Sequence, residues 1–178
     1  GALPAALSEL GHEVTVYLPH YRETRLPDTR VAIRSITIPF ADRYRFCSVL
    51  DGGKHRAVQF YFIDCPEFFD RPGLYGDGGG DFPDNAQRFC LFSRAVLEAA
   101  KILGGPEVFH CHDWPTALLP VLLRSVYAAS PLFPDGRRGV TTPNLGYQGV
   151  FAPTTPAPPL LPAVRGGFRA TAFSRQDE

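Results

Sequence analysis

The chain contains no methionine, a single tryptophan and four cysteines in 178 residues. With no initiator residue, Gly1 is expected to follow a segment that is encoded upstream or has been processed away. Cys47, Cys65, Cys90 and Cys111 form no Cys-x-x-Cys pair. A disulfide framework is therefore not expected, and free buried thiols in a reducing compartment are. Long apolar runs are also lacking. The longest, Ala117 to Leu123, is interrupted by Pro120 and falls far short of the roughly 20 residues that span a bilayer. No charged-then-apolar leader opens the chain, so the expected location is the cytoplasm, or a plastid if the source is a plant. The 18 basic and 18 acidic residues cancel, which excludes charge-driven binding to nucleic acid or to a membrane surface. Only Lys54 and Lys101 of the basic residues are lysines, a bias of nucleotide composition and not of chemistry.

What is present is an ordinary globular composition, 44% apolar and 20% charged, in a length that suits one domain. Leu3, Leu7 and Leu10 mark one face of a short helix that Gly11 caps. Glu13 to Leu18 reads as a strand, making this the second half of a βαβ unit whose first strand would lie upstream. Val31 to Ile38 alternates as a strand. Tyr44–Leu50 and His55–Ile63 flank Asp51-Gly52-Gly53, the signature of a hairpin turning at those glycines. Residues 64–84 are dense in Gly, Pro and Asp and read as a long loop, uncommon unless functional. Phe89, Phe92, Val96, Ala99 and Leu103 give the apolar stripe of a helix over 84–103, with Asp84 at its N-cap and Gly104 at its end. Glu107–Cys111 is a short buried strand, Pro115 opens a helix to about Tyr127, and Gly139–Thr142 is a further strand. The order implies an α/β sandwich with a largely parallel sheet. From Ala152 the chain is proline-rich without periodicity and carries no expected structure.

Three segments could carry chemistry. His110-Cys111-His112-Asp113-Trp114 closes a strand, and open α/β sheets bind ligands at the carboxyl ends of their strands. There Asp113 can accept from sugar hydroxyls, His112 can donate or accept near neutral pH, and Trp114 offers a stacking face. A purely structural role at the strand end fits the pattern equally well. His110 and His112 are expected on opposite faces of the strand, and no further ligand pair has metal-like spacing, so no metal is expected. Asp70-Arg71-Pro72-Gly73-Leu74-Tyr75-Gly76-Asp77 resembles no phosphate loop and is too acidic for one. It is either a surface turn or a site of ring recognition through Tyr75. Asn144-Leu145-Gly146-Tyr147-Gln148-Gly149 follows the last strand, with amides suited to hydroxyls.

Taken in order, GALPAAL, SELGHEVTVYLPHY, YFIDCPEFFDRPGLYGD, FPDNAQRF, FHCHDW and NLGYQGVF resemble the ADP-glucose-dependent glycogen and starch synthases across about residues 1–151. The resemblance implies an α/β, Rossmann-like N-terminal domain of a GT-B glycosyltransferase, incomplete because its first strand and the C-terminal domain are missing. On this reading residues 1–151 are a partial N-terminal catalytic domain. Residues 152–178 are a divergent tail, disordered or out of frame. The implied reaction transfers glucose from ADP-glucose to the non-reducing end of an α-1,4-glucan with retention, using no metal or cofactor, with ADP-glucose as donor substrate and no nucleic-acid or membrane partner. Asp113 and His112 then take the catalytic positions, and Tyr75, Asn144, Tyr147 and Gln148 the substrate-binding ones. Two departures stand out. The family's KTGGL loop, which holds the donor phosphates, would precede Gly1. Its histidine before the NLAYQG motif is Pro143 here, which also removes a backbone N–H. The chain alone is therefore expected to be inactive, with a non-catalytic glucan-binding module as the alternative reading.

Overall fold

The computed structural model describes residues 2–26, 30–40 and 43–133, and the backbone of 137–141. Helix α1 (Leu3–Glu9) begins at a proline and ends as the sequence suggests. The Gly11 N–H bonds the Ser8 carbonyl and the His12 N–H bonds that of Leu7, the paired bonds of a Schellman stop. Strand β1 (Thr15–Pro19) runs parallel to β4 (Val58–Asp64), with Thr15 opposite Gln59 and Pro19 opposite Ile63. Strands β2 (Arg30–Phe40) and β3 (Arg43–His55) complete a sheet of order β1-β4-β3-β2.

That sheet is mixed and not largely parallel, because β3 is antiparallel to both neighbours. The hairpin is also wound differently from expectation. His55 pairs with Val58, so the turn residues are Arg56 and Ala57 at φ 48° and 62°. Asp51-Gly52-Gly53 lies inside β3 at a register shift before Lys54. Burial explains the choice. Pairing Val49 with Ile63 puts both, at 0% exposure, on the core face, and a one-residue slip would turn that face to solvent.

The core face carries Ile36, Ile38 and Phe40 of β2, Cys47 and Val49 of β3, and Ile63 of β4 at alternate positions. Against them lies α3 (Asn85–Leu103), and 13 of its 19 residues are buried. A helix buried on more than one stripe must sit between two layers. On another side α3 meets α4 (Leu118–Arg124) and the turn before it, while β7 (Val108–His112) and β8 (Arg137–Thr141) form a separate parallel pair. Phe109, Cys111, Leu119, Leu122 and Leu123 join the same core. Each such aliphatic or aromatic side chain contributes about 1.5–3 kcal/mol on burial. The expected helix from Pro115 is divided: Trp114–Thr116 form one 3-10 turn, and α4 starts at Leu118.

The expected long loop is partly ordered. It contains α2 (Pro66–Phe69) and a tiny hairpin of β5 (Gly76–Asp77) and β6 (Gly80–Asp81). Asp84 stands at the N-cap of α3 but makes no side-chain cap bond, since its carboxylate takes both Arg71 nitrogens at 2.7 and 2.6 Å. Among the described residues no helix is long and apolar enough to cross a membrane.

The Arg56–Ala57 turn generates a test. A non-glycine residue at left-handed φ is strained by about 1–2 kcal/mol. Part of that returns as unfolded-state entropy when glycine is introduced. Ala57→Gly should therefore raise the denaturant midpoint by about 0.5–1 kcal/mol equivalent. A lowered midpoint would contradict the turn assignment.

Candidate functional site

The site is assembled from α3 outward. Arg88 lies in the apolar stripe of that helix and is 0% exposed. Its Nε donates to the Phe68 carbonyl at 2.7 Å, and its Nη1 donates to the Leu74 carbonyl at 3.0 Å and to Asn85 Oδ1 at 2.6 Å. The rings of Phe69, Phe82 and Phe89 surround the guanidinium at 5.7, 5.0 and 5.2 Å. Burial, with Arg71 nearby, lowers its pKa from the ordinary value. Asn85 in turn donates to the Tyr75 carbonyl at 2.6 Å, which also accepts from the Phe82 N–H. The loop from Phe68 to Asp84 is thus tied to one helix end at several carbonyls. Its tight path requires glycine. A Cβ on Gly73 would lie 2.1 Å from the Gly76 carbonyl oxygen, and one on Gly76 at 2.1 Å from that of Gly80.

So held, Tyr75 packs on Trp114 at 5.4 Å and on Phe89 at 5.7 Å, and Phe89 meets Trp114 edge-on at 4.8 Å. Burial, with the Asp113 carboxylate close by, raises the Tyr75 hydroxyl above its ordinary range. Tyr75, Asp113 and Trp114 therefore meet at the carboxyl end of β7; the strand-end place of Asp113 and Trp114 is the expected one, and the approach of Tyr75 is a finding of the structure. Asp113 sits at φ 56°, ψ −176°, a region essentially reserved for glycine. The strained turn is held by Thr116, whose hydroxyl donates to the carbonyls of His112 at 2.8 Å and Asp113 at 3.2 Å.

His110 and His112 do not point to opposite faces. Residues two apart on a strand share a face, and their rings stack at 4.6 Å, 17° from parallel, on the exposed side of β7. Partial burial and then His110 lower the His112 pKa from 6.5. A neutral His112 at pH 7 both donates and accepts hydrogen bonds. Among the described residues no group of three or more His, Cys, Asp or Glu could hold a metal ion. Asn144, Tyr147, Gln148 and the tail from residue 152 lie outside the described residues.

Two features escaped the sequence reading. One is Arg88, whose signal was a charged residue inside an apolar helix stripe. The other is a cavity of about 240 Å³ lined by His20, Tyr21, Arg22, Thr24, Asp64, Pro66 and Asp70. It lies at the carboxyl ends of the parallel pair β1 and β4. His20 Nδ1 is 2.8 Å from Asp64 Oδ1, Ser48 donates to Asp64 Oδ2 at 3.2 Å, and Arg22 Nε donates to Asp70 at 2.7 Å. The strand-end rule used for β7 applies equally to β1 and β4.

Comparison with known proteins agrees with this architecture. Residues 1–172 match the family model of the starch synthase catalytic domain. A glycogen synthase of Koribacter versatilis is 58% identical over 151 residues, covering 85% of this chain and 31% of that protein. Glycogen synthase 2 of Geobacter sulfurreducens is 40% identical over 172 residues, covering 89% and 32%. The solved catalytic domain of starch synthase IV from Arabidopsis thaliana, bound to ADP and acarbose, superposes with a TM-score of 0.71 at 31% identity, covering 84% of this chain and 30% of that one. The chain thus spans about a third of the length of the relatives it matches.

Two measurements follow from the geometry. Glycine tolerates the Asp113 backbone and alanine does not, so Asp113→Gly should be about 1–3 kcal/mol more stable than Asp113→Ala. Equal stabilities would show that the backbone is unstrained. His112 should titrate below 6.5 by NMR. Its unfolded form then binds the proton more readily, so the stability present above that pH is lost as pH falls through the folded-state pKa. A midpoint at or above 6.5 would remove this effect.

Proposed function

The chain belongs to the starch synthase catalytic-domain family, and from that membership we propose that the protein carrying it transfers glucose from ADP-glucose to the 4-hydroxyl at the non-reducing end of an α-1,4-glucan, with retention. The bond from glucose C1 to the ADP phosphate oxygen breaks. The bond from C1 to the acceptor O4 forms, and the acceptor proton passes to the departing ADP phosphate. Asp113 accepts hydroxyls of the sugar and offsets positive charge that develops at C1. Neutral His112 supplies a second hydrogen bond to the same sugar. Tyr75 and Trp114 give it an apolar wall beside the donor, and the family motif assigns Asn144, Tyr147 and Gln148 to substrate binding. The transfer proceeds without a metal or organic cofactor, on positioned dipoles alone.

The observation that carries this reading is the meeting of the Tyr75 loop with Asp113 and Trp114 at the carboxyl end of β7. Strain held at Asp113 adds to it, because strained backbone collects at functional sites. The neighbour that shares the fold binds ADP and acarbose, a nucleotide and a pseudo-oligosaccharide. A cytoplasmic location belongs to the same reading and rests on the bacterial glycogen synthases among the relatives.

The test is glucose incorporation from labelled ADP-glucose into maltoheptaose by the protein carrying this chain. Asp113→Asn should lower kcat/KM by about 10²-fold or more with little change in melting temperature. Unchanged turnover would overturn the assignment of Asp113. Binding of maltoheptaose with no transfer under any condition would favour a glucan-binding module instead.

A further inference from the structure

We propose that Cys47 and Cys65 are a reactive thiol pair that closes reversibly to a disulfide and clamps β3 to the stem of the Tyr75 loop. The argument begins with register. Ser48 opposes Asp64 and Val49 opposes Ile63 across the antiparallel pair β3–β4. One further step sets Cys47 directly opposite Cys65, whose φ of −141° continues the extended backbone. Directly opposed antiparallel residues have Cα atoms about 4.5–5.5 Å apart, inside the roughly 4.4–6.8 Å that a disulfide bridges. Both side chains face the core, at 2% and 3% exposure, and all four cysteines are free thiols. No large backbone shift is needed to join this pair.

Chemistry separates the two thiols from the other pair. Cys47 donates its S–H to the Cys65 sulfur, which holds the Cys65 thiol below its ordinary range and drives that of Cys47 far above. The Cys65 S–H points in turn at the Phe46 carbonyl, 3.9 Å away. Cys90 sits inside α3 and Cys111 lies opposite Val140 of β8, and burial pushes their thiols up to about 12 and about 11. Cys65 ends its strand beside the exposed Pro66 and Glu67, so it is the thiol an oxidant meets first and acts as the nucleophile, and Cys47, inside β3, is the resolving thiol. The Cys65 thiolate attacks one sulfur of a low-molecular-weight disulfide and releases its first thiol. Cys47 then loses its proton and attacks Cys65 Sγ, releasing the second thiol. Two protein thiols are oxidised, one external disulfide is reduced, and the two protons end on the released thiols.

The position gives the bridge a consequence. Cys65 is the residue before α2, and its carbonyl accepts from the Phe68 and Phe69 N–H groups. It is next to exposed Pro66 and Glu67, the side from which a small oxidant arrives. Phe68 is the residue whose carbonyl Arg88 holds. A bridge to β3 would fix the stem of the loop that carries Tyr75. In a reducing compartment such a disulfide is a transient sensor and not a structural staple.

The experiment is to treat the folded chain with oxidised glutathione, alkylate the remaining thiols after unfolding, and map the peptides by mass spectrometry. The expected product has lost two hydrogens in one Cys47–Cys65 cross-link, with Cys90 and Cys111 alkylated, and dithiothreitol reverses it. Cys47→Ser should trap a glutathione adduct on Cys65, and Cys65→Ser should give neither adduct nor cross-link. Loop cleavage by a protease between residues 70 and 84 should slow at least several-fold in the oxidised form. A cross-link through Cys90 or Cys111, or no cross-link while circular dichroism shows a folded chain and a control dithiol is oxidised, would overturn the proposal. So would an adduct on Cys47 in Cys65→Ser.

Discussion

A buried guanidinium that hydrogen-bonds to no carboxylate among the described residues governs this structure. Arg88 is fully enclosed; its Nε and Nη1 donate to two backbone carbonyls and one side-chain amide, while Nη2 is buried with no hydrogen-bond partner among the described residues. Taking a charge out of water costs several kcal/mol unless its donors are met. Here acceptor dipoles meet Nε and Nη1 and three aromatic rings surround the guanidinium, an arrangement that suits a planar fork and not an ammonium. The result is a loop rich in glycine and aspartate held as firmly as an element of secondary structure. Arg71 repeats the device nearer the surface, gripping Asp84 in bidentate fashion above Phe82.

The same helix end serves both halves of the site. Asn85, Arg88 and Phe89 occupy one face of α3, one turn apart. Asn85 and Arg88 fix the loop, while Phe89 is wedged between Tyr75 and Trp114. Because α3 is buried between the mixed sheet and α4, its position is set by the core. Stability and site geometry therefore share one part. A cavity mutation beneath α3 would displace Tyr75 without touching it.

Much of this was legible in the sequence. The stripe of α3, the β-branched strands and the strand ending at His112-Asp113-Trp114 were all read from periodicity and turn residues, and the ordered motifs named the family. What failed has identifiable causes. The hairpin was placed at Asp51-Gly52-Gly53 because glycines mark turns, yet core register outweighed turn propensity and moved the reversal to Arg56-Ala57. The sheet read as largely parallel from element order; the hairpin signal reports the antiparallel β3–β4 pair, but nothing local reports that β2 also pairs antiparallel with β3. His110 and His112 were misplaced by an error of strand geometry that the period of two corrects. Arg88 was hidden because its partners are carbonyls, which carry no sequence signal. Cys47 and Cys65 are distant in sequence and become neighbours only once the register is known.

The central claim, that Arg88 holds the Tyr75 loop against Trp114, is tested most directly by fluorescence. Trp114 is the sole tryptophan, so the emission comes from this one indole and its surroundings, Tyr75 among them. Acrylamide quenching should be compared in the native chain and in Arg88→Lys, which keeps the charge and loses the fork, with far-ultraviolet circular dichroism to confirm that both are folded. The account predicts a clear rise in quenching and a red-shifted emission in the lysine variant, as Tyr75 leaves the indole. Identical quenching and emission in two folded proteins would contradict it and place the control of the site elsewhere.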